Sequence, residues 1–130
     1  AEELSMAKKH SVLVIDDDPT LRRMIDFRLS KRDGFHVLTA ADGEKGLKLA
    51  KNKVPDMVLL DWKMPGISGI QVLNALRRNP ETKGVRVLML TAKHMMGDVE
   101  TAFTHGADGY ISKPFNLEDL GTKIRNTLRH

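Results

Sequence analysis

The feature that most constrains the fold is an alternation between short apolar runs and longer segments with helical periodicity. The runs at 11–16 (SVLVID), 57–61 (MVLLD) and 85–91 (VRVLMLT) are almost continuously apolar. Strands buried on both faces have this composition, as in a parallel sheet covered by helices. The more mixed runs at 35–39 and 109–112 suit strands nearer the sheet edges. The sequence therefore predicts five strand–helix repeats of an α/β fold.

Signals for helix starts and apolar faces occupy the segments between these runs. Asp18 before Pro19, and also Asp42 and Asn116, are predicted N-caps, and Gly34 is predicted to end the first connection. The predicted buried faces are Leu21, Met24, Ile25 and Leu29 in the first helix; Ile70, Leu73 and Leu76 in the third; Val99, Ala102 and Phe103 in the fourth; and Leu117, Leu120, Ile124 and Leu128 in the fifth.

The composition is that of one ordinary globular domain. The chain has 130 residues, of which 41% are hydrophobic and 29% charged, and it has no cysteine. The lack of cysteine excludes disulfides and thiolate metal sites, and we expect a cytoplasmic protein with no membrane association. A net charge of +4 is spread along the chain with few aromatic residues, which favours a solvated surface over nucleic-acid binding. We expect residues 1–10 to be a flexible lead-in and residues 11–130 to form the domain.

Reactive side chains stand where the predicted strands end. The first strand runs into Asp16 and Asp17, the third ends in Asp61, the fourth in Thr91, and the fifth runs into Lys113. In an open parallel sheet, ligands bind at this carboxyl edge. Carboxylates that meet there repel one another unless a cation is present, and oxygen ligands select Mg²⁺ or Mn²⁺ over zinc. This edge therefore indicates metal-assisted phosphate chemistry.

Four segments carry a resemblance to a known family. They are 12–23 (VLVIDDDPTLRR), 59–69 (LLDWKMPGISG), 89–92 (MLTA) and 109–115 (GYISKPF). The chain from residue 11 onward resembles the receiver domains of response regulators in two-component signalling, including the chemotaxis type. The resemblance implies a doubly wound, five-stranded parallel sheet in the order 2-1-3-4-5, flanked by five helices.

The resemblance assigns a metal and a phosphoacceptor to the acidic residues. Asp61 is implied to accept a phosphoryl group. Asp17 is implied to bind Mg²⁺ directly, Asp16 to act largely through water, and the backbone carbonyl of Lys63 to be a further ligand, with Mn²⁺ as an alternative ion. The metal would lower the barrier to attack by a nucleophile that is itself an anion.

Other residues are implied to contact the phosphoryl group, to respond to it or to tune its lifetime. Lys113 would hold a phosphoryl oxygen, and Pro114 matches a cis peptide that aims this lysine. Thr91 would hydrogen-bond to the phosphoryl group, and Tyr110 matches an aromatic switch that turns inward when Thr91 moves. Lys63 and Lys93 stand at positions that tune phosphoryl lifetime, and neither side chain can orient a water as an amide could, which predicts slow self-dephosphorylation.

The implied partners are proteins. A sensor histidine kinase, a phosphotransfer protein or a small phosphodonor would supply the phosphoryl group, and an unknown protein target would recognise the surface of the fourth helix, fifth strand and fifth helix. The chain would catalyse only its own phosphorylation and dephosphorylation. We expect a monomer or a phosphorylation-linked dimer, and no direct contact with nucleic acid.

Alternatives from other classes remain open at the level of sequence. Residues 16–21 (DDDPTL) also fit the opening motif of haloacid-dehalogenase-type phosphatases, in which Asp16 would be the nucleophile. That assignment leaves 61–66 (DWKMPG) unexplained. A flavodoxin-like binding module would share the strand order, but three aspartates after the first strand would repel a flavin phosphate. Asp18, taken alone, is explained as a helix cap.

Overall fold

The computed structural model describes residues 9–92 and 96–129. Residues 1–8 of the predicted lead-in and Lys93 lie outside the described residues. The secondary structure consists of β1 (Ser11–Ile15), α1 (Pro19–Phe27), a π-helical turn (Arg28–Arg32), β2 (His36–Ala40), α2 (Gly43–Lys53), β3 (Met57–Asp61), α3 (Gly69–Arg78), β4 (Arg86–Ala92), α4 (Met96–Thr104), β5 (Gly109–Lys113) and α5 (Leu117–Leu128).

The five strands form one parallel sheet in the order β2-β1-β3-β4-β5, which confirms the predicted fold. The apolar runs of β1, β3 and β4 are buried because successive side chains enter opposite layers. Leu13 and Ile15 belong to one buried layer that also includes Ala50 of α2, Val72 of α3 and Ala102 of α4. The alternate strand residues pack in a second layer under α1 and α5, which includes Val12, Val14, Ile25, Leu120 and Ile124.

The predicted caps begin the helices as expected. The Asp18 carboxylate accepts the backbone N–H groups of Thr20 and Leu21 at 3.0 and 3.2 Å. Asp42 accepts the N–H of Lys45 at 2.8 Å, and the Asn116 side chain caps α5. Because each cap satisfies backbone donors that have no partner inside the helix, the turn after each of these strands ends at a defined residue.

Two predicted core residues are in fact exposed. Met24 is 48% exposed and Phe103 is 47% exposed, so placing them in the buried faces was wrong. Met24 precedes the buried Ile25, and Phe103 follows the buried Ala102. Adjacent residues of a helix point about 100° apart. Both side chains therefore lie at the margin of the apolar face rather than inside it.

The first connection is more irregular than the sequence indicates. A π-helical turn, Arg28–Arg32, continues α1 and carries Leu29 into the core. Gly34 then adopts a φ of +76°, a left-handed conformation that suits glycine and ends the helical segment as predicted.

The amino ends of the strands form the opposite edge of the sheet from the reactive residues. There the His10 carbonyl accepts the N–H of His36 at 2.9 Å, next to the start of β1. His10 and Asp56 line a hollow of about 420 Å³ together with Leu128 at the end of α5.

Among the described residues, no helix has the length and apolar character required to cross a bilayer.

Candidate functional site

The carboxyl edge of the sheet carries the predicted acidic residues. Asp61 is the last residue of β3, is paired with Leu90 of β4, and its side chain is only 10% exposed. Asp16 directly follows β1, where its N–H donates to the Ala40 carbonyl at 3.2 Å, and it is fully buried. Asp17 comes next and is exposed. Strand pairing therefore fixes two carboxyl groups inside the site and leaves the third at its mouth.

These three aspartates form one cluster of potential metal ligands. One carboxylate oxygen from each of Asp16, Asp17 and Asp61 lies within 4.8 Å of the other two. Oxygen-only donors in this number suit a hard divalent cation that retains water ligands. The cluster is thus able to bind a metal ion at the carboxyl edge.

Lys113 joins the cluster from the end of β5. Its Nζ lies 3.1 Å from Asp16 Oδ2 and 3.2 Å from Asp61 Oδ1. Burial by itself would lower the pKa of the Lys113 ammonium, but hydrogen bonding to Asp16 and the negative charges of Asp61 and Asp16 raise the pKa above its ordinary value. The lysine is therefore a fixed positive charge. The peptide bond from Lys113 to Pro114 is cis, in agreement with the resemblance.

The environment of Asp61 opposes its ionisation. Burial, followed by the negative charge of Asp16, raises the pKa of the Asp61 carboxyl from 3.8 to about 6, although Lys113 acts in the opposite direction. Lys113 therefore offsets only part of the combined effect of burial and of the Asp16 charge. A bound cation would complete the balance and keep Asp61 ionised.

Hydrogen bonds hold Asp16 in a supporting position. Its Oδ1 accepts the backbone N–H of Asp18 at 2.9 Å, and its Oδ2 lies beside Lys113. The Arg22 guanidinium donates to the Asp16 carbonyl at 2.7 Å. A buried carboxylate with both oxygens engaged is poorly placed to attack a substrate, which weakens the phosphatase alternative.

A cavity of about 350 Å³ opens next to Asp61. Its walls are Asp61, Trp62, Lys63, Leu90, Thr91, Ala92 and Lys113. Thr91 is 3% exposed, and within the described part of the chain its hydroxyl makes a long contact of 3.4 Å to the Ala92 carbonyl. The cavity therefore combines the predicted nucleophile with a hydroxyl donor and an ammonium group.

Two further predicted residues differ in their position relative to this cavity: Lys63 borders it and Tyr110 does not line it. The side chain of Lys63 is exposed in the segment after β3. Tyr110 is half-buried on β5 and lines a separate groove of about 330 Å³ with Phe115, Asn116 and Lys123. The structure thus brings Asp16, Asp17, Asp61, Thr91 and Lys113 together, whereas Tyr110 lies on the neighbouring outer face.

Sequence reasoning missed the role of Gly69 beside the site. A Cβ at Gly69 would overlap the Asp61 carbonyl oxygen and lie 3.0 Å from Trp62 Cα, so the start of α3 rests on the backbone of the acceptor strand. Ser68 and Gln71 form a reciprocal capping box that begins this helix. The signal was present in 68–71 (SGIQ), where a capping serine is followed three residues later by glutamine.

Comparison with known proteins agrees with this geometry. Residues 12–125 match the response regulator receiver domain family. The chain is 39% identical over 118 residues to the DNA-binding dual master transcriptional regulator RpaA of Synechocystis, covering 91% of this chain and 48% of RpaA. It is 39% identical over 121 residues to the DNA-binding response regulator MtrA of Mycolicibacterium smegmatis, covering 93% and 51% of the two chains. The chain spans about half the length of these relatives.

A solved structure has the same fold. The chemotaxis protein CheY4 of Vibrio cholerae matches with a TM-score of 0.87 and 31% sequence identity, over 92% of this chain and 99% of CheY4. With the family match, the sheet order and the acidic cluster in agreement, the chain belongs to the response regulator receiver domain family of two-component signalling.

Proposed function

We propose that residues 11–130 act as a phosphorylation-activated switch in which Asp61 accepts a phosphoryl group. The observation that carries this proposal is the convergence of three carboxylates within 4.8 Å of one another, with the Lys113 ammonium 3.2 Å from Asp61. A nucleophile, a metal-ligand set and a fixed cation are the parts that phosphoryl transfer requires.

The proposed cofactor is Mg²⁺, with Mn²⁺ as a substitute. Asp16, Asp17, Asp61 and the backbone carbonyl of Lys63 would hold it. The residues fit such an ion because their donors are hard oxygens and because burial, followed by the negative charge of Asp16, raises the pKa of Asp61, an effect that a bound cation would offset. When bound, the ion neutralises the acceptor carboxylate and the oxygens of the incoming phosphoryl group.

The phosphoryl transfer itself is carried out by side chains. One Asp61 carboxylate oxygen forms a bond to phosphorus while the phosphorus–nitrogen bond of a phosphohistidine, or the phosphorus–oxygen bond of an acyl phosphate, breaks and releases imidazole or carboxylate. Lys113 then pairs with a phosphoryl oxygen in place of Asp61 Oδ1. The hydroxyl of Thr91 donates a hydrogen bond to the phosphoryl group, exchanging its long contact with the Ala92 carbonyl for a charge-assisted bond.

The response of the surface depends on Thr91 and Tyr110. Movement of Thr91 toward the phosphoryl group opens space into which the Tyr110 ring turns, and the face formed by α4, β5 and α5 changes with it. A sensor histidine kinase or phosphotransfer protein supplies the phosphoryl group, and a protein target, or a second copy of this chain, recognises the changed face. DNA binding is named for the longer relatives RpaA and MtrA, and it is not proposed for this chain.

The test is phosphorylation with acetyl phosphate. The purified chain is incubated with acetyl phosphate and Mg²⁺, and its intact mass is recorded. We expect a single-phosphate mass increase that requires Mg²⁺ and disappears in Asp61→Asn. Asp56→Asn is the matched control, because Asp56 lies at the opposite, amino end of β3. It should be phosphorylated like the wild type.

A different pattern would replace the proposal. If the chain hydrolysed acetyl phosphate with turnover, and if Asp16→Asn stopped the hydrolysis while Asp61→Asn did not, the chain would be a phosphatase. Persistence of the mass increase in Asp61→Asn would remove Asp61 as the acceptor.

A further inference from the structure

An aromatic pair occupies the outer face between α4 and β5. The rings of Phe103 and Tyr110 lie with their centroids 6.2 Å apart and their planes at 84°, an edge-to-face arrangement. Phe103 is 47% exposed, whereas Tyr110 is half-buried against the core layer of α2, α3 and α4. Phe103 therefore lies largely outside the core, and its ring contacts Tyr110.

Tyr110 lies outside the reactive cavity in this structure. Its side chain lines the groove that contains Phe115, Asn116 and Lys123, while the described lining of the cavity next to Thr91 does not include it. The edge-to-face contact is made in this outer position. A ring that turned toward Thr91 would move away from α4 and lose that contact, since such pairs are favourable only at centroid distances of 4.5–7 Å.

We propose that Phe103 is a positioning residue that holds Tyr110 in the outer position and so sets the threshold of the switch. The inference rests on the proposed function, because it requires Tyr110 to move when Asp61 is phosphorylated. A contact present in only one of two states shifts the population toward that state by the free energy of the contact. Edge-to-face pairs have a strength that corresponds to roughly a two- to tenfold change in such a ratio.

The direction of the effect follows from this one-sided contact. Removing the Phe103 ring weakens the outer position alone, so the activated position becomes easier to reach. Any ligand that binds better to the activated form must then bind more tightly, by the same factor as the change in the ratio of the activated to the outer position. Phe103→Leu should therefore make the protein more sensitive to a phosphoryl mimic without altering the groups that contact the mimic.

The experiment uses the single tryptophan and the single tyrosine of the chain. Beryllofluoride with Mg²⁺ is titrated into the protein, and binding is followed by fluorescence of Trp62, which borders the cavity. We expect Phe103→Leu to lower the half-saturating concentration roughly two- to tenfold, and Phe103→Tyr, which keeps the ring, to restore the wild-type value. With 3-fluorotyrosine at position 110, the fluorine signal of free Phe103→Leu should move toward its position in the beryllofluoride-bound wild type.

Two controls separate this role from a general loss of packing. Phe27→Leu removes a ring that is 62% exposed on α1, and it should leave the half-saturating concentration unchanged. In a Tyr110→Ala background, Phe103→Leu should have no further effect, because the two residues act through one contact.

Opposite results would overturn the inference. An unchanged half-saturating concentration in Phe103→Leu, or an effect of the same size in the Tyr110→Ala background, would show that Phe103 does not act through Tyr110. Failure of the proposed function is distinguishable, because the wild type itself would then show no Mg²⁺-dependent response that Asp61→Asn abolishes.

Discussion

Lys63 illustrates how much a single side chain can change the lifetime of a reactive group. It stands two residues after Asp61, borders the cavity and has an exposed side chain. A lysine ammonium has three donors and no acceptor, so it neither orients a water for attack nor removes a proton from it. A phosphoryl group on Asp61 would therefore be protected from hydrolysis on this side.

We expect Lys63→Asn to accelerate loss of the phosphoryl group from Asp61. The asparagine amide offers an acceptor for an attacking water, so the increase in rate should be on the order of tenfold, below the effect of a full acid–base catalyst. The measurement is the decay of the phosphorylated mass after removal of acetyl phosphate. Lys83→Asn replaces an exposed lysine far from the cavity and should decay like the wild type. An unchanged decay in Lys63→Asn would exclude this residue as a determinant of lifetime.

The start of α3 shows how an element can constrain the site without contributing a reactive group. Gly69 is the first residue of the helix, its N–H donates to the Trp62 carbonyl at 2.9 Å, and its Cα faces the backbone of Asp61. Since backbone atoms cannot move aside as a flexible side chain can, a larger residue at position 69 must displace either α3 or the end of β3.

Gly69→Ala should therefore destabilise the fold by about 1–3 kcal/mol and slow the phosphorylation of Asp61. The measurements are urea unfolding and the rate of the mass increase with acetyl phosphate. Gly84→Ala is the matched control, because a Cβ at Gly84 meets no atom within 4 Å, and it should leave both quantities nearly unchanged. Equal behaviour of the two variants would mean that α3 accommodates the methyl group without moving the acceptor.

The strands were predictable from the sequence, whereas the details of several helices were not. β1, β3 and β4 could be predicted because burial on both faces requires unbroken apolar runs. The π-helical turn at Arg28–Arg32 has no such signal in the sequence, and Asp33, which follows it, makes contacts distant in sequence. There the carboxylate of Asp33 lies 3.3 Å from Arg28 and 3.9 Å from Arg125, and it packs on Gly121 of α5. Asp33 is far from Arg125 and Gly121 in sequence, and these residues meet only in the folded chain.

The site was predictable to a similar extent. Because the carboxyl ends of parallel strands meet at one edge of the sheet, the parallel topology alone predicts that Asp61 lies near Asp16. The chemical identity of the residues then indicates a metal. The outer contact between Phe103 and Tyr110 was not predicted, because an apolar residue at the margin of a helix face looks the same in sequence whether it is buried or exposed.

The folded molecule is less stable because it buries the carboxyl group of its proposed phosphoacceptor, Asp61. Because the Asp61 carboxyl has a pKa of about 6 in the folded chain against 3.8 for the ordinary carboxyl, folding opposes its ionisation. Below pH 3.8 the group is neutral in both states and contributes no difference. As the pH rises from 3.8 to 6, the unfolded chain loses the proton first, so the contribution of Asp61 to stability falls and then stays constant above pH 6.

Asp61→Asn should therefore be more stable than the wild type at neutral pH without metal, by about 1–3 kcal/mol. The asparagine oxygen can still accept from Lys113, and no charge has to be buried. The difference in free energy of unfolding, measured with urea between pH 3.5 and 8, should be near zero at the acid end and reach its full value above pH 6. A variant that is less stable than the wild type at pH 8 would contradict this account.

The hollow shared by His10 and Leu128 has a consequence for how the chain can be joined to others. These two residues precede β1 and close α5, and they meet at the end of the sheet opposite Asp61. Any polypeptide attached before His10 or after Leu128 leaves from that far side. A tethered or fused partner would therefore be attached at the edge of the sheet opposite the carboxylates.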